Sequence, residues 1–238
     1  MTASSVAAVV IGRADSRGLP GKNTIFVAGR PMIAHTVEDA CRATMVQRVY
    51  CSTDGEAIAD AAQAAGATVV LRPRELSGGD ATVDSAVRHA IEESSDPADI
   101  VVVLYANVPV RPADLIDRAV TTLLETGADS VQSYASVGKF HPYWTVRLGD
   151  QAEVSAWQPN TVYRRQDLPE AFIPDGGVIA VRRESLFCID PSQPHAFLGT
   201  DRRGIHTKRG EVVDVDDEID CRVAAAILET RLAVEASS

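Results

Sequence analysis

Two stretches at opposite ends of the chain hold residues whose types and spacing can do chemistry. The first runs from Gly12 to Asn23 and reads G-R-A-D-S-R-G-L-P-G-K-N. Gly12, Gly18 and Gly21 let backbone amides approach an anion with no Cβ in the way, and Arg13, Arg17 and Lys22 add full positive charge. That make-up suits a polyphosphate, although an ordinary Gly/Pro surface loop with scattered cations has the same composition. Neither G-x-x-x-x-G-K-[ST] nor G-x-G-x-x-G is present, so this is not one of the common nucleotide loops. The second stretch is Val213 to Asp220, V-D-V-D-D-E-I-D. Alternation along an extended segment puts Asp214 and Asp216 on one side, where two hard carboxylates can face one cation. Mg²⁺ takes one or two carboxylates together with waters and phosphate oxygens. An acidic turn ahead of a helix is equally the mark of N-capping, and the residues alone leave both readings open.

The elements around these stretches decide whether they can meet. Val6 to Ile11 is an apolar, β-branched run of the kind that forms a buried parallel strand. Pro31 suits the first turn of a helix in which Ile33, Val37, Ala40 and Cys41 recur at helical spacing, with His35 in the same structural pattern. Val46 to Ser52 reads as a second strand, Glu56 to Ala65 as a helix stopped by Gly66, and Ala67 to Leu71 as a third strand. Helix Val83–Glu93, a central strand Ile100–Leu104, helix Asp114–Thr126, strand Asp129–Tyr134 and a last helix from about Cys221 to Val234 follow. Alternating strands and helices imply an α/β fold, a doubly wound and mostly parallel sheet with right-handed crossovers. Ligands of such sheets bind outside the carboxyl ends of the strands. The opening loop, Ser52-Thr53-Asp54 and Arg72-Pro73 all belong to that edge, although Arg72 can also be read as a solvated strand-end cation.

One segment stands apart. Residues 136–167 hold both tryptophans and two of the five tyrosines of a chain that is only 5% aromatic. That concentration predicts an excursion from the sheet that buries its aromatics against a second subunit, a solvent-facing hairpin on its own domain being the alternative.

Length and composition set the frame. The 238 residues suffice for one sizeable α/β domain, and no Ser-, Gly- or Pro-rich stretch divides them. A net charge of −10 argues against a nucleic-acid partner, since phosphate contacts need Lys and Arg clustered over a face. Cys41, Cys51, Cys188 and Cys221 show neither a C-x-x-C pair nor a metal-type spacing. No apolar run approaches the ~18 residues of a membrane span and no secretory signal is evident, so a cytoplasmic protein with no membrane partner is expected.

The order of residues says more than their composition. Arg13, Ser16, Arg17, Gly18, Leu19, Pro20, Lys22 and Asn23 resemble the signature of the acylneuraminate cytidylyltransferases, which activate sialic-acid-like sugars with CTP. The related octulosonate enzymes end this loop with proline where this chain has Asn23. Ser52-Thr53-Asp54 and Leu71-Arg72-Pro73-Arg74-Glu75-Leu76 are further features of the resemblance. By that resemblance the fold is the Rossmann-like one of nucleotidyltransferases. Gly12, Arg13, Ser16, Lys22 and Asn23 hold the nucleotide, Arg72 lies over its base, the loop with Asp80 closes on it, and Thr82 is the candidate small base contact. Tyr105 stands where sialic-acid enzymes carry glutamine, in a form closer to pseudaminate- or legionaminate-type members, and Tyr105 and Asn107 are implied sugar contacts. Arg165 in R-R-Q-D-L-P and the turn Asp175-Gly176 are implied sugar ligands too. Ile173 replaces an arginine typical of members with a sialic-acid preference. The spacing D-V-D from the opening loop matches the family's metal pair, which favours Asp214 and Asp216 as Mg²⁺ ligands. The family also uses the aromatic segment for dimerisation. The expected reaction is attack by the anomeric hydroxyl of a 3-deoxy-2-keto sugar acid on the α-phosphate of CTP. Arg13, Lys22 and Asp216 are the expected catalytic residues and pyrophosphate is released. A same-fold enzyme with an octulosonic or sugar-phosphate acceptor, or a nucleotide-binding protein without turnover, are the alternatives.

Overall fold

Strand β1, Val6–Ile11, is buried except at its last residue because both of its faces are covered. Val6, Ala8 and Val10 point into one layer of helices and Ala7 and Val9 into the other. That two-sided burial is why the run reads as continuously apolar rather than alternating. The computed structural model describes residues 4–15, 18–78 and 81–235. The readings placed on Ser16, Arg17 and Asp80 lie outside the described residues.

After β1 the chain forms a small hairpin of Phe26–Val27 (β2) and Arg30–Pro31 (β3), then helix Met32–Arg42 (α1) and strand Arg48–Thr53 (β4). Helix Glu56–Ala64 (α2) and strand Thr68–Leu71 (β5) complete the first half. Helix Val83–Glu93 (α3) carries the chain back to strand Ile100–Tyr105 (β6), followed by helix Leu115–Thr126 (α4) and strand Ser130–Ser136 (β7). A two-stranded excursion, Val146–Leu148 (β8) with Val154–Ala156 (β9), precedes the long strand Phe172–Arg182 (β10). Helix Arg183–Leu186 (α5), strand Arg202–Thr207 (β11) and helix Glu218–Glu235 (α6) close the described chain.

Seven strands form one sheet in the order β11-β7-β10-β6-β1-β4-β5. β1 is parallel to β4 and β6, β4 to β5 and β7 to β11, whereas β10 runs antiparallel to both β6 and β7. The expectation of a mostly parallel, doubly wound sheet is therefore met, with one reversed strand wedged into it. Helices α1, α2 and α4 cover one face, and α3 packs on the other with Leu186, Phe197 and Leu198. A third apolar cluster joins Val27 and Met32 to Val213, Val215 and Ala224, so α6 is anchored on the β2–β3 hairpin. No helix among the described residues is long and apolar enough to cross a membrane.

Element boundaries shift from the sequence reading by one to three residues, and two of the larger shifts are at element starts. The second strand begins at Arg48 rather than Val46, and α6 begins at Glu218, ahead of Cys221. The second shift has a local cause. Asp217 Oδ1 accepts from the amides of Ile219 (2.8 Å) and Asp220 (3.0 Å), and Asp220 Oδ2 accepts in return from the amides of Asp216 (3.0 Å) and Asp217 (3.3 Å). This reciprocal capping satisfies the first amides of the helix and starts it early.

Candidate functional site

The chain leaves β1 toward β4 on one flank and returns on the other as β6. At such a reversal the loops that follow the two central strands part, leaving a crevice at their carboxyl ends. A cleft of about 340 Å³ opens there, lined among others by Gly12, Arg13, Lys22, Asn23, Arg72, Thr82, Tyr105 and Asn107. Residues from three separate connections, each singled out by type or by resemblance, thus share one cavity.

The walls of this cleft are fixed by internal hydrogen bonds. Gly12 donates its amide to the Ser52 carbonyl at 3.1 Å, and a Cβ at this position would meet the Ala106 Cβ at 2.9 Å. Only glycine fits that approach of two strand exits. Gly21 holds φ at +65°, in the left-handed region, and turns the loop into the short Lys22–Thr24 turn. Asn23 is buried beneath, donating from Nδ2 to the Arg13 carbonyl at 3.0 Å, while its Oδ1 has no partner among the described residues.

The Ser52-Thr53-Asp54 triplet turns out to be the frame of the cleft. Ser52 accepts from Arg72 twice, at its hydroxyl (3.0 Å from Nε) and at its carbonyl (2.6 Å from Nη2), and Arg72 Nη2 also reaches the Gly12 carbonyl at 3.3 Å. Arg72 is therefore held in place before any ligand arrives, not left as a solvated strand-end cation. Burial draws its pKa down, which the Asp54 carboxylate partly offsets. Thr53 accepts from the Gly55 amide at 3.1 Å, and Asp54 accepts from the Ala14 amide at 2.8 Å, tying the opening loop to β4.

The second chemical stretch arrives at the same rim. Lys22 Nζ donates to Asp216 Oδ1 at 2.9 Å and to the Val215 carbonyl at 3.1 Å. Asn107 Nδ2 donates to Asp214 Oδ1 and to the Val215 carbonyl, and the Val215 amide donates to the Asn107 carbonyl at 2.9 Å. Desolvation and the neighbouring Asp216 charge push the Asp214 carboxyl up to about 6, against the pull of Lys22. The N-capping reading of the acidic turn holds for Asp217 and Asp220, whereas Asp214 and Asp216 bond to Asn107 and Lys22 of the cleft lining. Among the described residues no group of three or more His, Cys, Asp or Glu side chains converges on a cation position.

A second cleft of about 520 Å³ adjoins the first and shares Thr82, Val83 and Tyr105 with it. Its further wall comes from Gln132 and Tyr134 on β7, Pro174 and Ile179 on β10, and His195, Phe197, Leu198 and Arg202 beyond. Tyr105 stands on the boundary, its phenol raised by burial and by the Asp214 charge. Sequence reasoning missed Gln132, Tyr134, His195 and Arg202, which share no motif and meet only through the pairing of β7 with β10 and β11.

Three expected sugar ligands, Arg165, Asp175 and Gly176, are absent from the lining of either cleft. Asp175 sits in the irregular stretch of β10, where its carboxylate accepts from the Ser133 and Thr207 hydroxyls and from the Gly177 amide at 3.0 Å. It joins β10 to β7 and β11. Gly176, at φ +77°, backs onto Asp214, whose Oδ2 lies 3.2 Å from where a Cβ would stand. Arg165 is exposed on the excursion beside Gly138, away from the residues that line the clefts of this chain.

Residues 7–185 match the family model described as cytidylyltransferase. The chain belongs to the cytidylyltransferase family. It is 34% identical over 239 aligned positions to a CMP-N,N'-diacetyllegionaminic acid synthase of Legionella pneumophila, covering 94% of this chain and 96% of that one. It is 31% identical over 180 positions to an N-acylneuraminate cytidylyltransferase of Streptococcus agalactiae, covering 74% of this chain but 43% of the relative. The chain thus spans less than half the length of the Streptococcus relatives. In fold it is like a solved CMP:2-keto-3-deoxy-manno-octonic acid synthetase complexed with CTP, at a TM-score of 0.73, 18% identity and coverage of 96% of this chain and all of that one. A 4-diphosphocytidyl-2C-methyl-D-erythritol synthase from Anaerococcus prevotii is similar at a TM-score of 0.63 and 15% identity, covering 95% of this chain and 99% of that one. These cytidylyltransferase likenesses agree with the doubly wound fold and with the resemblance carried by the opening loop.

Proposed function

We propose that this chain transfers CMP from CTP to the anomeric hydroxyl of a nonulosonic, sialic-acid-like sugar acid and releases pyrophosphate. The observation that carries the reading is the meeting of Arg13, Lys22 and Arg72 with Asp214 and Asp216 around one cleft at the sheet's reversal point. Arg72, already held by Ser52, offers a flat cation beside the base, in a lining that also holds Thr82. Lys22 and Arg13, with the amides of the opening loop, bind the phosphates and stabilise the charge that develops on departing pyrophosphate. Asn107 orients Asp214 by its hydrogen bond, and Lys22 must exchange Asp216 for phosphate as CTP enters.

Asp214 and Asp216 would hold Mg²⁺. Two mutually repelling carboxylates with no third protein ligand in the described residues fit a cation that completes its shell with water and phosphate oxygens. Bound there, Mg²⁺ supplies charge neutralisation at the phosphates and a lowered pKa for the attacking hydroxyl. The adjoining cleft beyond Tyr105 suits the acceptor: it is contiguous with the nucleotide cleft and offers Arg202 and Gln132 to polar groups and Phe197 and Leu198 to apolar ones. Tyr105 and Ile173 depart from the N-acetylneuraminate pattern, and a legionaminate-like acid is the acceptor that best fits these departures. Arg165 enters the reading through a homodimer. Phe140, Trp157 and Tyr163 are 76%, 55% and 93% exposed in the single chain, and a second copy would cover them and bring Arg165 to the partner's acceptor cleft. A cytoplasmic setting, where CTP is available, belongs to the same reading.

The test is pyrophosphate release with Mg²⁺, crossing the four ribonucleoside triphosphates with octulosonic and nonulosonic acids. CTP-specific release with a nonulosonic acid is expected. Release with an octulosonic acid alone, or none with any pairing, overturns the assignment.

A further inference from the structure

A third cleft, of about 530 Å³, lies where α1, the exit of β6 and α6 meet, and shares no lining residue with the two described above. Four arginines line it: Arg30, Arg42, Arg111 and Arg231. Glu38 and Asp39 are the acids of the lining, so the wall is more positive than negative in a chain whose net charge is −10. Arg30 pairs with Glu38, and Asp39 serves two partners, Arg42 Nη2 at 2.8 Å and Arg111 Nη1 at 3.0 Å.

Arg111 is the unusual member. Its side chain is fully buried, its Nε donates to the Gly177 carbonyl at 3.2 Å, and its Nη2 has no partner among the described residues. A buried cationic N–H without an acceptor is an unmet demand for an anion or a polar ligand. Arg231 approaches the same point, donating from Nη1 to the Arg111 carbonyl at 2.9 Å. Leu228 and Leu232, on the same helix as Arg231, supply an apolar surface to the lining.

We propose that this cleft is a second ligand site, separate from catalysis, for a small phosphorylated organic molecule. Its phosphoryl group would lie among Arg42, Arg111 and Arg231, where planar guanidinium groups suit its oxygens. Its carbon body would rest on Leu228 and Leu232. The site does not depend on the proposed reaction, and a failure of either can be told from the other by where the binding is lost.

Phenyl phosphate is the probe, titrated calorimetrically into the full chain and into Lys22→Ala, which disables the phosphate side of the nucleotide cleft. Binding is expected to persist in Lys22→Ala and to weaken by at least about tenfold in Arg42→Ala and in Arg231→Gln. The Arg42 side chain is 69% exposed, so Arg42→Ala keeps the fold and carries the test if Arg231→Gln does not. Absence of binding at millimolar probe would mean that a water alone satisfies Arg111 and overturns the site. Binding lost in Lys22→Ala and untouched by the arginine variants overturns it as well, by assigning the probe to the nucleotide cleft. Citrate binding as tightly as phenyl phosphate would overturn the phosphoryl class.

Discussion

The two sides of the double cleft are built in opposite ways. On the nucleotide side, Gly12, Asn23, Arg72 and Asp54 are each pinned by hydrogen bonds within the first 72 residues, over connections of one strand and one helix. On the acceptor side, Gln132, Tyr134, Pro174, His195 and Arg202 come from three distant segments, and the excursion next to them leaves aromatic side chains in water. A half pinned by local hydrogen bonds thus stands beside a half assembled from distant segments. In the proposed reaction this contrast makes the nucleotide site preorganised, whereas the acceptor site depends on long-range pairing and on whatever covers the excursion.

Substitutions can break this contrast in a definite order. Lys22→Ala should lower kcat/KM by about 10²–10³-fold with the circular dichroism spectrum unchanged, since it removes one charged donor at the phosphates. Normal turnover would take the opening loop out of the chemistry. Asp216→Asn should raise the Mg²⁺ concentration for half-maximal rate by roughly tenfold or more, because one of two hard ligands is lost. Its melting temperature should barely move, as Asp216 is 76% exposed and exposed ion pairs contribute about 0–1 kcal/mol. An unshifted Mg²⁺ curve would place the cation elsewhere.

Gly12→Ala should destabilise by about 1–3 kcal/mol in denaturant melts, the cost of forcing a methyl group against Ala106. Gln132→Ala should raise the acceptor KM by about tenfold, the worth of one hydrogen bond, and leave the CTP KM alone. A change in the CTP KM would show that the two halves are not separable. The smallest effect is expected from Trp157→Ala, which should leave the isolated chain's fold intact while shifting sedimentation toward a monomer; a wild-type protein that is already monomeric would remove the excursion from the subunit contact.

The same division explains what could be read beforehand. The first half of the sheet was legible because each strand is a short apolar run followed by a helix of clear period, from Val6 through Glu93. Direction was not legible for β10: Val178 to Val181 is buried on both faces and looks identical whichever way it runs. β11 escaped because Arg202, Arg203, Gly204 and His206 face solvent on an edge strand, where charge rather than apolar pattern is the rule. Arg72 and the acidic turn were found by their surroundings in sequence, but their partners were not. Ser52 holding Arg72, and Asp217 separated in role from Asp216, are facts of three-dimensional neighbourhood. Asp175 shows the limit of a matched motif, since a turn of the right composition can lend its carboxylate to Ser133 and Thr207 instead of to a ligand.

The capping of α6 has a thermal consequence. Asp220 Oδ2 holds the amides of Asp216 and Asp217, so Asp216 hangs from the first turn of a helix, and helix ends are among the first parts of a fold to open. Warming should therefore loosen Asp216, and with it the bond to Lys22, while the central strands are still intact. Inactivation would precede melting, and the working temperature of the protein would be set by one turn of helix rather than by its core.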